Sequence, residues 1–163
     1  MRYGKDYTAI PLNEPYWSLG VPVAIERGND IFMTKGDQTA GEVRYLKKIE
    51  DEDSFKEFIV PKLNRGGHAL CNFRDELIIA TGGADIIQGN MYGSTTCEKW
   101  SVYTLKWHHI QELNVGRWNH ASVAMEDYIY VFGGNTNIFN VINSIERLLV
   151  AGPDAKTEQW GLI

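Results

Sequence analysis

Apolar residues in this chain come in short runs closed by turn signals, and no stretch keeps the three-to-four spacing of a helix over the length a helix needs. Residues 117–134, RWNHASVAMEDYIYVFGG, show the pattern at its clearest. Ala121, Val123 and Met125 alternate with smaller or polar residues, Glu126 and Asp127 make a turn, and Tyr128 to Phe132 is an aromatic and β-branched run ended by Gly133 and Gly134. Farther up the chain the same grammar predicts a strand over 68–73, a turn over 74–76, a buried strand over 77–81, a third strand over 96–103 and a fourth over 107–112. Residues 50–58, EDEDSFKEF, could form a helical turn, but the four consecutive acids at 50–53 suit better a solvated hairpin loop between strands of the first repeat.

These elements repeat. NRGGHA at 64–69 matches GRWNHA at 116–121, which sets Arg65 against Arg117 and His68 against His120, 52 residues apart. The flanking features keep nearly the same step, since Gly82 and Gly83 answer Gly133 and Gly134 at 51 residues and Trp107 answers Trp160 at 53. A fainter copy comes first. In it Asp30 to Thr34 is the equivalent strand, Lys35 and Gly36 replace the glycine pair, and Phe55 stands 52 residues before Trp107. A period near 50 residues with about four short strands per copy is the mark of a radial or stacked β repeat.

A hydrophobic run into Gly-Gly, then Glu-x-aromatic followed seven residues later by Trp, resembles the kelch repeat. The residues are IIATGG at 78–83 with Glu98, Trp100 and Trp107, and YVFGG at 130–134 with Glu146 and Trp160. The resemblance covers roughly residues 21–163. It implies an all-β fold, a partial β-propeller of about three kelch-type, four-stranded antiparallel blades. Residues 1–20 are then an arm or the remnant of a preceding blade, 21–60 a degenerate first blade, 61–112 a second and 113–163 a third. The third copy departs from the pattern. Leu148 takes the aromatic position and AGPDAK at 151–156 stretches the gap to Trp160, which predicts a longer hairpin.

The repeated residues have structural reasons to be there. A glycine pair ending a strand permits positive φ and close backbone approach. Trp107 and Trp160 are large enough to fill the wedge between blades. Arg65 and Arg117 can satisfy several carbonyls with one fixed fork, and Glu98 and Glu146 can pair with them.

Composition and charge then narrow the chemistry. The chain has 163 residues, 44% hydrophobic and 23% charged, a net charge of −5 and two cysteines. An acidic chain without a basic patch offers no footprint for nucleic acid or an anionic membrane. No apolar run follows the basic residues of the N-terminus, no stretch approaches the length of a membrane span, and there is no Asn-x-Ser/Thr sequence, so an intracellular, cytoplasmic or cytoskeletal setting is expected. Cys71 and Cys97 read as buried thiols. No glycine-rich phosphate loop precedes a helix, Ser101 and Ser122 lack a nucleophile-elbow context, and His108 and His109 point to opposite faces of a strand. His68 and His120 are duplicated at the repeat period, as a structural group is and a catalytic group need not be. No catalytic residue, metal ligand or cofactor is therefore expected.

What differs between the copies is the segment after each glycine pair, ADIIQGNMYGST at 84–95 and NTNIFNVIN at 135–143. Ile86, Ile87, Met91, Tyr92, Ile138, Phe139 and Val141 are apolar residues that a merely solvated loop does not need. In a propeller these loops share a face with the connections between blades, so Arg117 and Trp118 join the candidate patch. The expected role is a non-enzymatic protein-interaction module, a scaffold or adaptor subunit. The family resemblance also admits a propeller enzyme of the oxidase or sugar isomerase class, and a purely structural subunit is the third reading. About three blades do not close a ring. A longer chain, a second copy or other subunits must complete it, and the aromatic-rich residues 1–20 suit an arm laid over a neighbour.

Overall fold

A computed structural model describes residues 23–34, 43–50, 54–60, 63, 65–101, 103–150 and 160–163. The expectations for the arm at 1–20, for Lys35 and Gly36, for the acids at 51–53 and for the stretched gap at 151–159 lie outside these residues. Among the described residues every regular element is a strand. The first sheet joins β1 (Val23–Arg27), β2 (Asp30–Thr34), β3 (Val43–Lys48) and β4 (Phe55–Val60) in chain order. The second contains β5 (Ala69–Phe73), β6 (Leu77–Thr81), β9 (Cys97–Ser101) and β10 (Lys106–Ile110), and the third β11 (Ala121–Met125), β12 (Tyr128–Phe132), β13 (Ile145–Leu149) and β14 (Trp160–Leu162). All neighbours within these sheets are antiparallel. The chain is an open arc of three four-stranded blades, a partial β-propeller, with β1, β5 and β11 side by side at its inner edge.

The segment after the glycine pair of the second blade differs from the expected loop. It folds as a separate hairpin, β7 (Ala84–Ile87) and β8 (Asn90–Gly93), turning through Gln88 and Gly89, both at positive φ. Two positive φ angles make a turn whose twist matches the flanking strands, and glycine supplies one of them at no steric cost.

Two joints hold the arc. At the first, Phe32 and Val43 meet Leu70, Ile78, Ala80 and Trp100. At the second, Cys71, Phe73, Ile79 and Cys97 meet Ile129, Val131, Leu148 and Trp160. Trp100 is fully buried, with Phe32 tilted against it at a centroid separation of 5.0 Å, and burying an aromatic of this size contributes about 1.5–3 kcal/mol. Trp107 pairs across the strands with Trp100, and Trp160 pairs in the same way with Leu148, so Leu148 occupies the slot of Trp100 despite the stretched gap. Both cysteines are free and buried, which pushes the Cys71 thiol up to about 11 and Cys97 to about 12.

Polar groups in the joints are paired in a repeating way. Arg117 is fully buried; it donates to Glu146 at 2.5 Å and to the carbonyls of Gly133 and Ser144 at 2.9 and 3.2 Å. Glu146, also fully buried, accepts from the backbone N–H groups of Asn114 and Val115 at 2.7 and 3.1 Å. Arg65 and Glu98 form the equivalent 2.5 Å pair one blade earlier, with Glu98 partly exposed. The histidines tie one blade to the next. The Thr34 hydroxyl lies 2.7 Å from His68 Nε2 and the Thr81 hydroxyl 2.8 Å from His120 Nε2. Because His68 Nδ1 faces the Arg65 carbonyl at 3.1 Å, that nitrogen carries the proton and Nε2 accepts from Thr34.

Glu146→Leu strands a buried guanidinium and two amides, whereas Glu98→Leu frees an arginine that water can partly reach. The first substitution is expected to cost about 3–5 kcal/mol and the second distinctly less, read from denaturant unfolding midpoints. Burial, with the neighbouring arginines, holds His68 down at about 4 and His120 at about 3. The folded chain therefore keeps neutral rings where the unfolded chain, titrating at the ordinary 6.5, takes up protons. Stability from these rings is full above about pH 6.5 and declines as the pH falls toward 4, by on the order of 3 kcal/mol for His68. A His68→Gln chain is expected to lose stability less steeply than wild type between pH 6.5 and 4 in thermal melts.

Candidate interaction surface

The glycine pairs determine how the variable segments leave the blades. Gly82 and Gly83 lie at φ of +56° and +125°, and a Cβ on Gly82 would sit 2.3 Å from the Arg117 carbonyl oxygen and 2.6 Å from the His120 ring. The connection entering the third blade thus runs directly over the glycine pair of the second. Gly93 and Gly116 approach as closely, since a Cβ on either would stand 2.5 Å or less from the other's carbonyl oxygen. This backbone contact anchors the base of the β7–β8 hairpin to the connection. It also explains glycine at both positions, because any side chain would force the two chains apart.

Above that base the hairpin meets the loop of the next blade. The Gly93 N–H donates to the Thr136 carbonyl at 2.7 Å, and Tyr92 bridges to Asn137 in antiparallel fashion. The two segments, distant in sequence, form one continuous ridge. Within the second loop Trp118 bridges to Asn135, Asn135 to Val141, and Thr136 donates to the Asn140 carbonyl at 3.0 Å. The Asn137 side chain accepts from the N–H groups of Phe139 and Asn140 at 2.9 and 3.0 Å. Such a side-chain turn holds a short loop without any regular element and presents the residues at its tip.

Those residues are apolar and open to solvent. Phe139 is 83% exposed, Val141 81%, Ile138 63% and Ile86 59%, with Ile87 and Tyr92 exposed beside them and Met91 half-buried. The side chains do not fold back onto their own blades. Asp85 is the one charged side chain within 84–95 and 135–143. Trp118 is partly buried beneath the ridge, packed beside Gly67, with an indole N–H that meets no acceptor. Arg117 does not belong to this surface. Its register on the connection turns it inward to Glu146, so it acts as blade support alone.

Several residues here were not legible beforehand. The alternation in ADIIQGNMYG about a central glycine is a hairpin signal, and NTN offers a side-chain turn, but no signal in the sequence joins the two segments into one ridge. Among the described residues no group of three or more His, Cys, Asp or Glu side chains is placed to hold a metal ion. A shallow cleft at the opposite end of the first blade is lined by charges of both signs, and Arg27 there is taken up by Asp30 at 3.7 Å and by the Asp75 carbonyl at 2.6 Å.

No family model matches the chain, and no curated relative matches it. Among solved structures it is similar to that of YjhT, at 16% sequence identity and a TM-score of 0.68, over 92% of this chain and 47% of the YjhT chain. The likeness is one of fold. The chain spans about half the length of YjhT.

The ridge makes the tip substitutions separable from folding. Phe139→Asp and Ile138→Asp are each expected to change unfolding free energy by no more than about 0.5 kcal/mol in denaturant melts, because the side chains they remove are already in water.

Proposed function

We propose that the chain is a non-enzymatic, kelch-type interaction module that binds a protein partner through the ridge made by 84–93 and 135–141, as a scaffold or adaptor subunit inside the cell. The observation that carries this reading is the exposure of Phe139, Ile138, Val141 and Ile86 on a backbone held rigid by bridges and a side-chain turn. Rigid, exposed apolar side chains are costly for a lone protein to display and profitable to an interface, where they lose water without losing much conformational freedom. The near absence of charge on the ridge fits a partner with an apolar groove or pocket. Polar rims suit the edges of such contacts, and Asp85, Asn90 and Asn140 flank the apolar tips. The kelch reading is supported by the recurrence of Arg, Gly-Gly, Glu and Trp in equivalent structural places, and two free thiols agree with a reducing compartment.

A photo-crosslinking residue placed at 139 is expected to capture one dominant partner in the native cells, and the same residue at exposed Tyr103 is not. The purified partner is then expected to bind the Phe139→Asp chain at least 30-fold more weakly, about 2 kcal/mol. Equal capture from both positions, or unchanged affinity, removes the ridge as the binding site.

A further inference from the structure

The β7–β8 hairpin has two edges, and they differ. Along the β8 edge the Gly93 N–H donates to the Thr136 carbonyl at 2.7 Å and Tyr92 bridges to Asn137, so the loop of the third blade occupies it. The β7 edge is met at its base, where the Ala84 N–H donates to the Gly66 carbonyl at 2.8 Å. Backbone groups alternate along an antiparallel ladder, one residue bonding inward to its pair and the next turning outward. Ala84 and Gly93 stand opposite one another in the register and both direct their N–H outward, so Ile86 and Met91, the pair two residues farther on, turn outward as well. Among the described residues neither the N–H nor the carbonyl of Ile86 meets a hydrogen-bond partner.

Both faces beside this edge are open. Successive residues of a strand point to opposite faces, so Ile86 and Ile87 look to the two sides of the hairpin, and they are 59% and 56% exposed. The edge also lacks the features that keep other edges from pairing. β4 and β10, the outer edges of the first two blades, carry Lys56 and Lys106, whereas ADII in β7 has no lysine, proline or bulge and pairs with β8 residue for residue. A patch docked on one face of the hairpin leaves one of the two isoleucines in water. An extended segment laid along β7 reaches both, and it gives Ile86 the backbone bonds that it lacks. It also turns a two-stranded sheet, marginal by itself, into a three-stranded one.

Resting on the reading of the ridge as a protein-binding surface, we propose that the partner contributes an extended segment, apolar on both sides, which adds to the open edge of β7 as a third strand. The apolar tips of 135–141 then meet another part of the same partner, because they lie beyond β8.

Random peptides of about twelve residues displayed on phage are the probe. Selection on the folded chain is expected to enrich a proline-free run of β-branched and aromatic residues. A synthetic peptide of the enriched sequence is expected to slow hydrogen exchange at the Ile86 amide by about tenfold or more. It is also expected to bind an Ile86→Pro chain about tenfold more weakly than an Ile86→Val chain, since valine keeps the outward N–H and proline removes it. Where proline disturbs the hairpin, seen as moved amide signals of Gly89 and Gly93, the hydroxy-acid analogue of isoleucine at position 86 removes the N–H and keeps the side chain, and the same loss is expected. Phe139→Asp is expected to leave peptide binding unchanged, so the peptide reports on the edge alone and capture at position 139 on the tips. No enriched sequence, an Ile86 amide that stays unprotected, equal binding with and without the Ile86 N–H, or loss of the peptide on Phe139→Asp overturns strand addition while capture at position 139 still stands for the ridge. A failed capture at position 139 overturns the ridge reading, and the proposal with it, even where the peptide binds β7.

Discussion

The arc depends on the way Arg117 and Glu146 satisfy a connection that cannot satisfy itself. A strand obtains its backbone hydrogen bonds from a neighbour, but the segment between β10 and β11 runs over the top of the sheets with scattered backbone partners such as the Thr95 and Ser94 carbonyls, which accept from Leu113 and Arg117. Its amides at Asn114 and Val115 would be costly to bury unpaired, and Glu146 accepts from both. The carbonyls at Gly133 and Ser144, left where β12 ends and β13 begins, are taken by the guanidinium. Removing two charges from water is unfavourable by itself. Here each charge meets the other and several backbone groups as well, the condition under which a buried pair holds its place.

That arrangement has steric consequences which spread through the blade. With the connection drawn down by Arg117, its carbonyl oxygen comes to lie where a Cβ on Gly82 would be, and His120 reaches Thr81 of the preceding blade. Glycine at 82 and 93, the arginine and the histidine are thus one requirement expressed at four positions. Once these fix the path of the connection, the parts of the following segments that lie away from Gly93 and Ser94 have no further duty toward it. They are free to differ between blades, and they do, which is why the apolar ridge is made from them.

Repetition made most of this legible in the sequence. The strands, the Arg–Glu pairs and the positive-φ glycines answer local or periodic needs, and a need that recurs every 51 to 53 residues leaves the same residue types at the same step. Features set by contacts between blades did not show. The partners of the histidines, Thr34 and Thr81, lie 34 and 39 residues away and carry no pattern of their own. Arg117 beside Trp118 read equally well as surface or support, because only the register of the connection decides which side chain turns inward. Among the described residues the β7–β8 hairpin occurs once, so no second copy drew attention to it.

The alternation of Ala121, Val123 and Met125 exposes the limit of binary patterning in a different way. A period of two states that one side of a strand is apolar; it does not state what lies against that side. In the first two blades the equivalent side is closed by the next sheet, and in the third it carries a larger, more aromatic set of residues, with Phe132 where the others place a threonine hydroxyl. Had that face been meant for water, the cheapest sequence would place lysine, glutamate or threonine at these positions, as edge and surface strands do. Three aromatic rings and a methionine instead make solvent the least favourable neighbour for it. The third blade therefore presents to solvent the kind of apolar side chains that the first two bury at their joints.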